Sequence, residues 1–151
     1  MIEREDLLSL VPHRGRMLLL SRIINCDTEE RSIEAEYDIT TDCIFYDSAV
    51  DGVPTWAGFE FIAQTIAAFL GLRDKEKGAP PKIGFVLAVS GMKMEIPFFK
   101  AGTTVTIKSK EIEEMHPVYA FEGEIFLNGE KVLGGKLTVK EADDEDAKRL
   151  G

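Results

Sequence analysis

The sequence predicts an α+β fold in which one long central helix is wrapped by an antiparallel sheet of six strands. Three observations predict it. Residues 53–72, VPTWAGFEFIAQTIAAFLGL, are apolar almost all the way round at helical spacing, and such a helix belongs in the centre of a fold. Residues 32–39, SIEAEYDI, alternate apolar and polar, as a half-buried strand does. Everything after the helix reads as strand, and Asn128-Gly129 separates two strand-like runs in the manner of a type I′ hairpin turn. Loops cannot cover a lone helix that is apolar on every side, so the strands must curve round it.

The elements follow in order. Residues 2–10 suggest a short amphipathic helix with Leu7, Leu8 and Leu10 apolar, and Pro12 and Gly15 mark a turn. Residues 17–25, MLLLSRIIN, form the first strand, Glu29, Glu30 and Arg31 a hairpin turn, and residues 32–39 the second strand. A loop, TTDCIFYDSAVDG, leads to a helix over 54–73. Pro54 suits its first turn, where a missing N–H costs nothing. RDKEKGAPPK is a connector. Residues 83–96 form the third strand, with Gly91 a bulge, and PFFKAG is a turn. Residues 103–112, 118–127 and 130–140 complete the six strands. Six strands around one helix leave sheet edges, which a homodimer or a dimer-based oligomer would manage. Residues 1–140 are thus one domain, and the acidic run EADDEDAKRLG, residues 141–151, is a frayed, disordered tail.

Composition narrows the function. The 151 residues carry a net charge of −9, so no positive surplus exists to neutralise phosphates, which excludes a general nucleic-acid binder. Cys26 and Cys43 lack metal-type spacing and read as free thiols in a reducing cytosol; no metal and no cofactor is expected. The N-terminus lacks an apolar signal core. Thr55, Glu60, Gln64 and Thr65 interrupt the apolar helix, which marks it as buried in protein rather than in a membrane. A cytoplasmic protein is expected.

Glu60 is the single carboxylate near the middle of that helix. A charge there is costly unless paired, so Glu60 either transfers protons or meets an Arg at the helix surface or a subunit interface. Gln64 lies four residues on and shares its face, where it can contact or orient Glu60.

Four stretches carry a family resemblance. LVPHRGRMLLLSRI resembles an "L-P-H-R…-L-L-x-D-R-[VI]" opening, with Ser21 in place of the usual Asp. VPTWAGFEFIAQTIAAFLG resembles a "P-G-x-x-x-x-E-x-x-A-Q" central helix. GFVLAVSGMKMEIPFFKAGTTVTI is similar to the strand and turn that follow it, and FEGEIFLNGEKVLGGKLTV to the closing hairpin. Together they cover most of residues 8–139 and resemble the hotdog-fold 3-hydroxyacyl-acyl-carrier-protein dehydratases. The helix, with Trp56 and E-x-x-A-Q-T, is most similar to the aryl-polyene-type branch.

The resemblance implies that an acid on the helix and a His on the preceding loop act across a dimer interface to remove the α-proton and expel the β-hydroxyl as water. Glu60 falls on the acid. A backbone N–H at the helix start would polarise the thioester carbonyl, with Gly52 and Val53 allowing close approach. The loop DCIFYDSAVDGVP holds no histidine, and Tyr46 stands at the family's His position, with Asp47 and Asp51 nearby. Tyr46 is a donor or weak acid and, with an ordinary pKa near 10, a poor base. Asp47 is a candidate base or a turn former, and Asp51 a candidate base or a helix cap. His13, in VPHRG, is the outside candidate; its commoner role would be to fix that turn. His116, before Pro117, should face solvent. Trp56, Phe59 and Phe61 line an acyl tunnel or pack the core. Arg14, Arg16, Arg22, Lys93 and Lys100 form a candidate patch for an acidic acyl carrier protein, the alternative carrier being coenzyme A. Three functions remain: dehydratase (or its reverse), acyl thioesterase, and a non-catalytic acyl- or partner-binding dimer.

Overall fold

The apolar run folds as expected, but its helix starts later. In a computed structural model, which describes residues 1–80, 82 and 84–142, a single 3₁₀ turn, Thr55–Ala57, leads into the central helix α2, Gly58–Glu76. Pro54 lies outside the helix because its extended backbone (ψ 136°) closes a short strand instead. Before α2 come β1 (Ile2–Glu3), α1 (Arg4–Leu7), β2 (Arg22–Asp27), β3 (Ser32–Asp38) and β4 (Gly52–Pro54). After it come β5 (Gly84–Met94), β6 (Phe98–Lys100), β7 (Thr104–Met115), β8 (Val118–Leu127) and β9 (Glu130–Glu141).

Seven strands form one sheet in the order β1-β2-β3-β7-β8-β9-β5, every neighbouring pair antiparallel. The six expected strands are all in it, joined by two-residue β1. A separate ribbon, β4 with β6, pairs Val53 with Phe99. The predicted PFFKAG turn is therefore partly strand, because Phe99 is fully buried and β4 supplies the ladder partners of its segment.

The predicted first strand is shorter than expected. Leu18, Leu19 and Leu20 are buried but lie outside β2, because side chains take their backbone groups. Gln64 accepts the Leu19 N–H at 2.7 Å, and Arg4 donates to the carbonyls of Leu20 (3.0 Å) and Leu18 (3.3 Å). Such bonds replace ladder partners. At the other end, Gly91 (φ 62°) lies where the β5 register shifts, as a bulge should, and Asn128 and Gly129 both have positive φ, as a type I′ turn requires. The strand β9 runs through Glu141, which is buried, so the sheet takes in the first residue of the expected tail; residues 143–151 lie outside the described residues.

The core lies between α2 and the sheet. Phe61, Ile62, Ile66 and Phe69 are buried, as are Val105, Ile107, Phe121 and Ile125 on the facing strands, each large side chain contributing about 1.5–3 kcal/mol. Phe61 meets Tyr37 at 4.9 Å between ring centroids and Phe99 at 5.8 Å; Phe69 meets Phe121 edge-on at 5.7 Å. One side of α2 is less covered: Glu60, Ala63 and Ala67 are only half-buried. By length and composition, Thr55–Glu76 would also suit a membrane span, but it is mostly buried inside the protein and is its core helix. Edge strand β5 exposes Val86, Leu87 and Val89 in near succession and pairs only with β9 among the described strands.

Near the C-terminal end of α2, Arg73 donates to Glu111 Oε1 at 3.0 Å and stacks over the rings of Phe69 and Tyr119. The Glu111 side chain is wholly buried, and Arg31 lies 3.9 Å away. Burial opposes the Arg73 charge, but the bond to Glu111 and the charges of Glu111 and Glu114 raise its pKa above the ordinary value. Removing one partner strands the other charge. Arg73→Met should destabilise the fold by about 3–5 kcal/mol, and the double variant Arg73→Met, Glu111→Leu should recover most of that, as read from urea denaturation.

Candidate active site

A cavity of about 270 Å³ opens along the less covered side of α2. The helix contributes Glu60, Ala63, Ile66, Ala67 and Leu70; the turn after α1 contributes Pro12 and His13; β5 contributes Gly84, Phe85 and Val86; Lys82 and Val139 complete the lining. Positions 60, 63, 67 and 70 fall on one face by helical spacing. The two alanines leave room there, so the cavity is a groove that begins at a carboxylate and continues over apolar surface. Its span from Glu60 to Leu70 is about 15 Å at the helical rise per residue.

His13 is half-buried, and its Nδ1 is buried without a hydrogen-bond partner among the described residues. Its pKa is lowered from 6.5, chiefly by burial; the Glu60 charge acts to raise it, and Arg14 to lower it. The neutral imidazole is therefore the favoured form near pH 7, with no protein group fixing its tautomer through Nδ1. A neutral imidazole and a carboxyl group lining one pocket make an acid–base pair available.

The other candidates are not brought to this cavity. The Tyr46 hydroxyl donates to Asp51 Oδ1 at 2.5 Å, and that bond leads the causes that raise its pKa above 10, which weakens it further as an acid. Asp47 builds a turn: its Oδ1 accepts the Ala49 N–H at 2.9 Å, and its backbone pairs with Gly52. Asp51 caps no helix; no side-chain bond caps the start of the Thr55–Ala57 turn or of α2. Gly52 and Val53 belong to the β4–β6 ribbon. A Cβ at Gly52 would stand 2.6 Å from the Phe99 carbonyl oxygen, so the glycine permits close strand pairing, and its N–H already donates to Asp47. Trp56 is 52% exposed and packs edge-on to Phe45. Phe61 is core, not tunnel.

Gln64 has a different role from the one expected. It is 1% exposed, its Oε1 accepts from Leu19 N–H, and its Nε2 donates to the Met17 carbonyl at 2.9 Å. It ties α2 to the His13 segment rather than presenting an amide to the groove. Sequence reasoning missed Ala63 and Ala67; their spacing of three and seven residues from Glu60 was the available signal.

The expected basic patch is smaller than its five residues. Arg22 is paired with Glu36 (2.9 Å) and Asp38 (2.6 Å). Arg14 and Arg16 bond only backbone carbonyls, as does Arg4, and no carboxylate pairs with any of the three among the described residues. Lys93 borders a larger depression, of about 700 Å³, over β5, β8 and β9. That depression is lined by charges of both signs, including the Lys131–Glu124 pair at 3.3 Å.

An antiparallel sheet wrapped round one long helix defines a hotdog-fold protein. The family model of ApeP-like proteins, described as ApeP dehydratase, matches residues 5–150. The chain belongs to that family. It is 30% identical over 112 residues to the 3-hydroxyacyl-[acyl-carrier-protein] dehydratase FabZ of Chlamydia trachomatis, a match covering 70% of each chain. With the FabZ of Erythrobacter litoralis the identity is 27% over 142 residues and 92% of each chain. Among solved structures, the dehydratase heterocomplex ApeI:P from Xenorhabdus doucetiae matches with a TM-score of 0.87 at 22% identity, covering 95% of each chain. A hypothetical thioesterase with coenzyme A from Streptococcus pneumoniae matches at 0.60 and 11% identity, covering 80% of this chain and 84% of that one. At these identities the structural likenesses speak for the fold alone.

The depressed pKa of His13 has a consequence for stability. Above pH 6.5 the imidazole is neutral in both folded and unfolded chains. Below it the unfolded chain takes up the proton first, so stability is lost as pH falls from 6.5 toward the lower folded value. Urea midpoints compared at pH 7.5 and about 5.5 should therefore drop more for the wild type than for His13→Gln.

Proposed function

We propose that the chain dehydrates 3-hydroxyacyl thioesters to trans-2-enoyl thioesters, with His13 and Glu60 of one subunit as the acid–base pair. The observation that carries this reading is that both groups line one groove whose remaining wall is mostly apolar. The neutral His13 imidazole accepts the α-proton at C2. The released electron pair forms the C2–C3 double bond as the C3–O bond breaks, and Glu60 delivers its proton to the departing hydroxyl, which leaves as water. The proton on His13 then returns to Glu60. Burial favours the neutral imidazole, the form this step requires. The acyl tail follows Ala63, Ala67 and Leu70.

The exposed apolar edge of β5 supports a homodimer, since a long unpaired edge invites pairing with a second copy. Phe85 and Val86 of that strand line the groove, so the partner's strand would wall it. Arg4, Arg14 and Arg16 form a local positive island beside His13 in a chain of net charge −9. Such charge suits an acidic acyl carrier protein as the donor, in the cytoplasm, and suits the phosphates of coenzyme A as well.

Incubation with 3-hydroxyacyl thioesters on each carrier, following enoyl absorbance and free thiol separately, tests the reading. Enoyl product without thiol release is expected; thiol release alone would assign a thioesterase, and neither signal a binding protein. Glu60→Gln and His13→Ala should each lower the rate by about a hundredfold or more. Tyr46→Phe and Asp47→Asn should leave it within a few-fold. Light scattering should give a dimer, and Leu87→Lys on the β5 edge a monomer with lost activity.

A further inference from the structure

We infer that Gln64 and Gly71 are positioning residues that clamp the His13 turn onto α2 at two points and so set the imidazole beside Glu60. The inference rests on the reading of His13 and Glu60 as the reacting pair.

The turn from residue 8 to residue 20 has little regular structure: one 3₁₀ turn, Gly15–Met17, and no strand. Two arginines hold its internal shape. Arg14 donates to the carbonyls of Leu8 (2.8 Å), Val11 (2.7 Å) and His13 (2.9 Å). Arg4 donates to those of Gly15 (2.7 Å), Leu18 and Leu20. These bonds make the turn a unit, but they do not say where on α2 it rests.

Two contacts do. After His13 in sequence, the Gln64 amide binds both Leu19 N–H and the Met17 carbonyl. Before His13, the turn touches α2 at Gly71, where a Cβ would stand 2.6 Å from the Leu10 carbonyl oxygen and 3.3 Å from its carbon. Only a glycine lets the two backbones approach so closely. Positions 64 and 71 are seven residues apart, so they share a face about 10 Å apart along the axis. Glu60 lies one turn before Gln64. His13 sits between the anchored residues, Leu10 on one side and Met17 and Leu19 on the other, so loosening either anchor lets it swing relative to Glu60.

The test uses the full chain in a His116→Gln background, which leaves His13 as the single histidine. Gln64→Met keeps the length and removes both bonds; Gln64→Glu keeps the acceptor for Leu19 and loses the donor to Met17. Gly71→Ala raises helix propensity yet forces Leu10 away, so a purely helical effect would stabilise it. His13 titration by NMR, without substrate, should move up toward 6.5 in all three, most in Gln64→Met. With substrate, kcat should fall by between about tenfold and a hundredfold, with KM within about twofold and the acid limb of the pH–rate profile moving with the NMR value. Gly71→Ala, which adds no charge beside His13, decides the matter alone if Gln64→Met does not fold. Folded variants whose His13 titrates as in the wild type would overturn the clamp, as would a loss of kcat with an unmoved acid limb. If the wild type dehydrates no thioester, the dehydratase reading fails, and the NMR comparison still decides the clamp.

Discussion

The side of α2 that the sheet leaves uncovered is the constraint on which the rest of the structure depends. Strands β3, β7 and β8 pack against the other faces of the helix, where Phe61, Ile62, Ile66 and Phe69 are buried. The remaining stripe, Glu60–Ala63–Ala67, would expose apolar helix to water if nothing covered it. It is roofed by the His13 turn and the first residues of β5. Because both covers meet small side chains, they bridge the stripe without filling it, and a groove results. Glu60 is placed at one end of that groove, half-buried rather than sunk in the core, which is how a helix this apolar accommodates a carboxylate at all.

The turn that roofs the stripe is built by arginines whose partners are carbonyls rather than carboxylates. Arg22, Arg31 and Arg73 carry ion pairs with Glu or Asp. Arg4 and Arg14 close the backbone of the turn instead. Arg14 thus shapes the turn and, together with burial, lowers the proton affinity of His13. A Lys at position 14 would not reproduce this, since one ammonium cannot reach three carbonyls in the fixed fork of a guanidinium.

The large elements were legible in the sequence because each offers many residues to its period. The central helix, the six strands of the main sheet, the Gly91 bulge and the Asn128-Gly129 turn are all present in the expected order, with the helix starting later and the first strand shorter than the pattern predicts. The β4–β6 ribbon was not legible: three-residue strands are too short to show alternation, and Phe98–Lys100 read as turn through its neighbours Pro97 and Gly102. The Leu18–Leu20 run was read as strand because it is apolar, yet its backbone bonds go to Arg4 and Gln64, partners remote in sequence. The same distance hid the role of Gln64, which lies 45 residues from Leu19. At the site, Glu60 was legible as the one acid on an apolar helix. His13 could not be placed from the sequence, where a turn histidine is usually structural; the fold puts it in the same groove as Glu60.

In the proposed reaction, that placement lets the loop before α2 lack a histidine. In this chain the loop is closed by its own bonds, Tyr46 to Asp51 and Asp47 to Gly52, and by the packing of Phe45 on Trp56. Those bonds hold a turn. In the proposed reaction the base is supplied instead by the turn at the other side of the helix, and that turn is anchored to the helix that carries the acid. Acid and base then move as one body, and their separation no longer depends on how two subunits meet. In that reading, a second copy paired at β5 has a narrower role, which is to wall the groove. A change at that edge therefore costs activity through what the groove can hold rather than through the separation of acid and base.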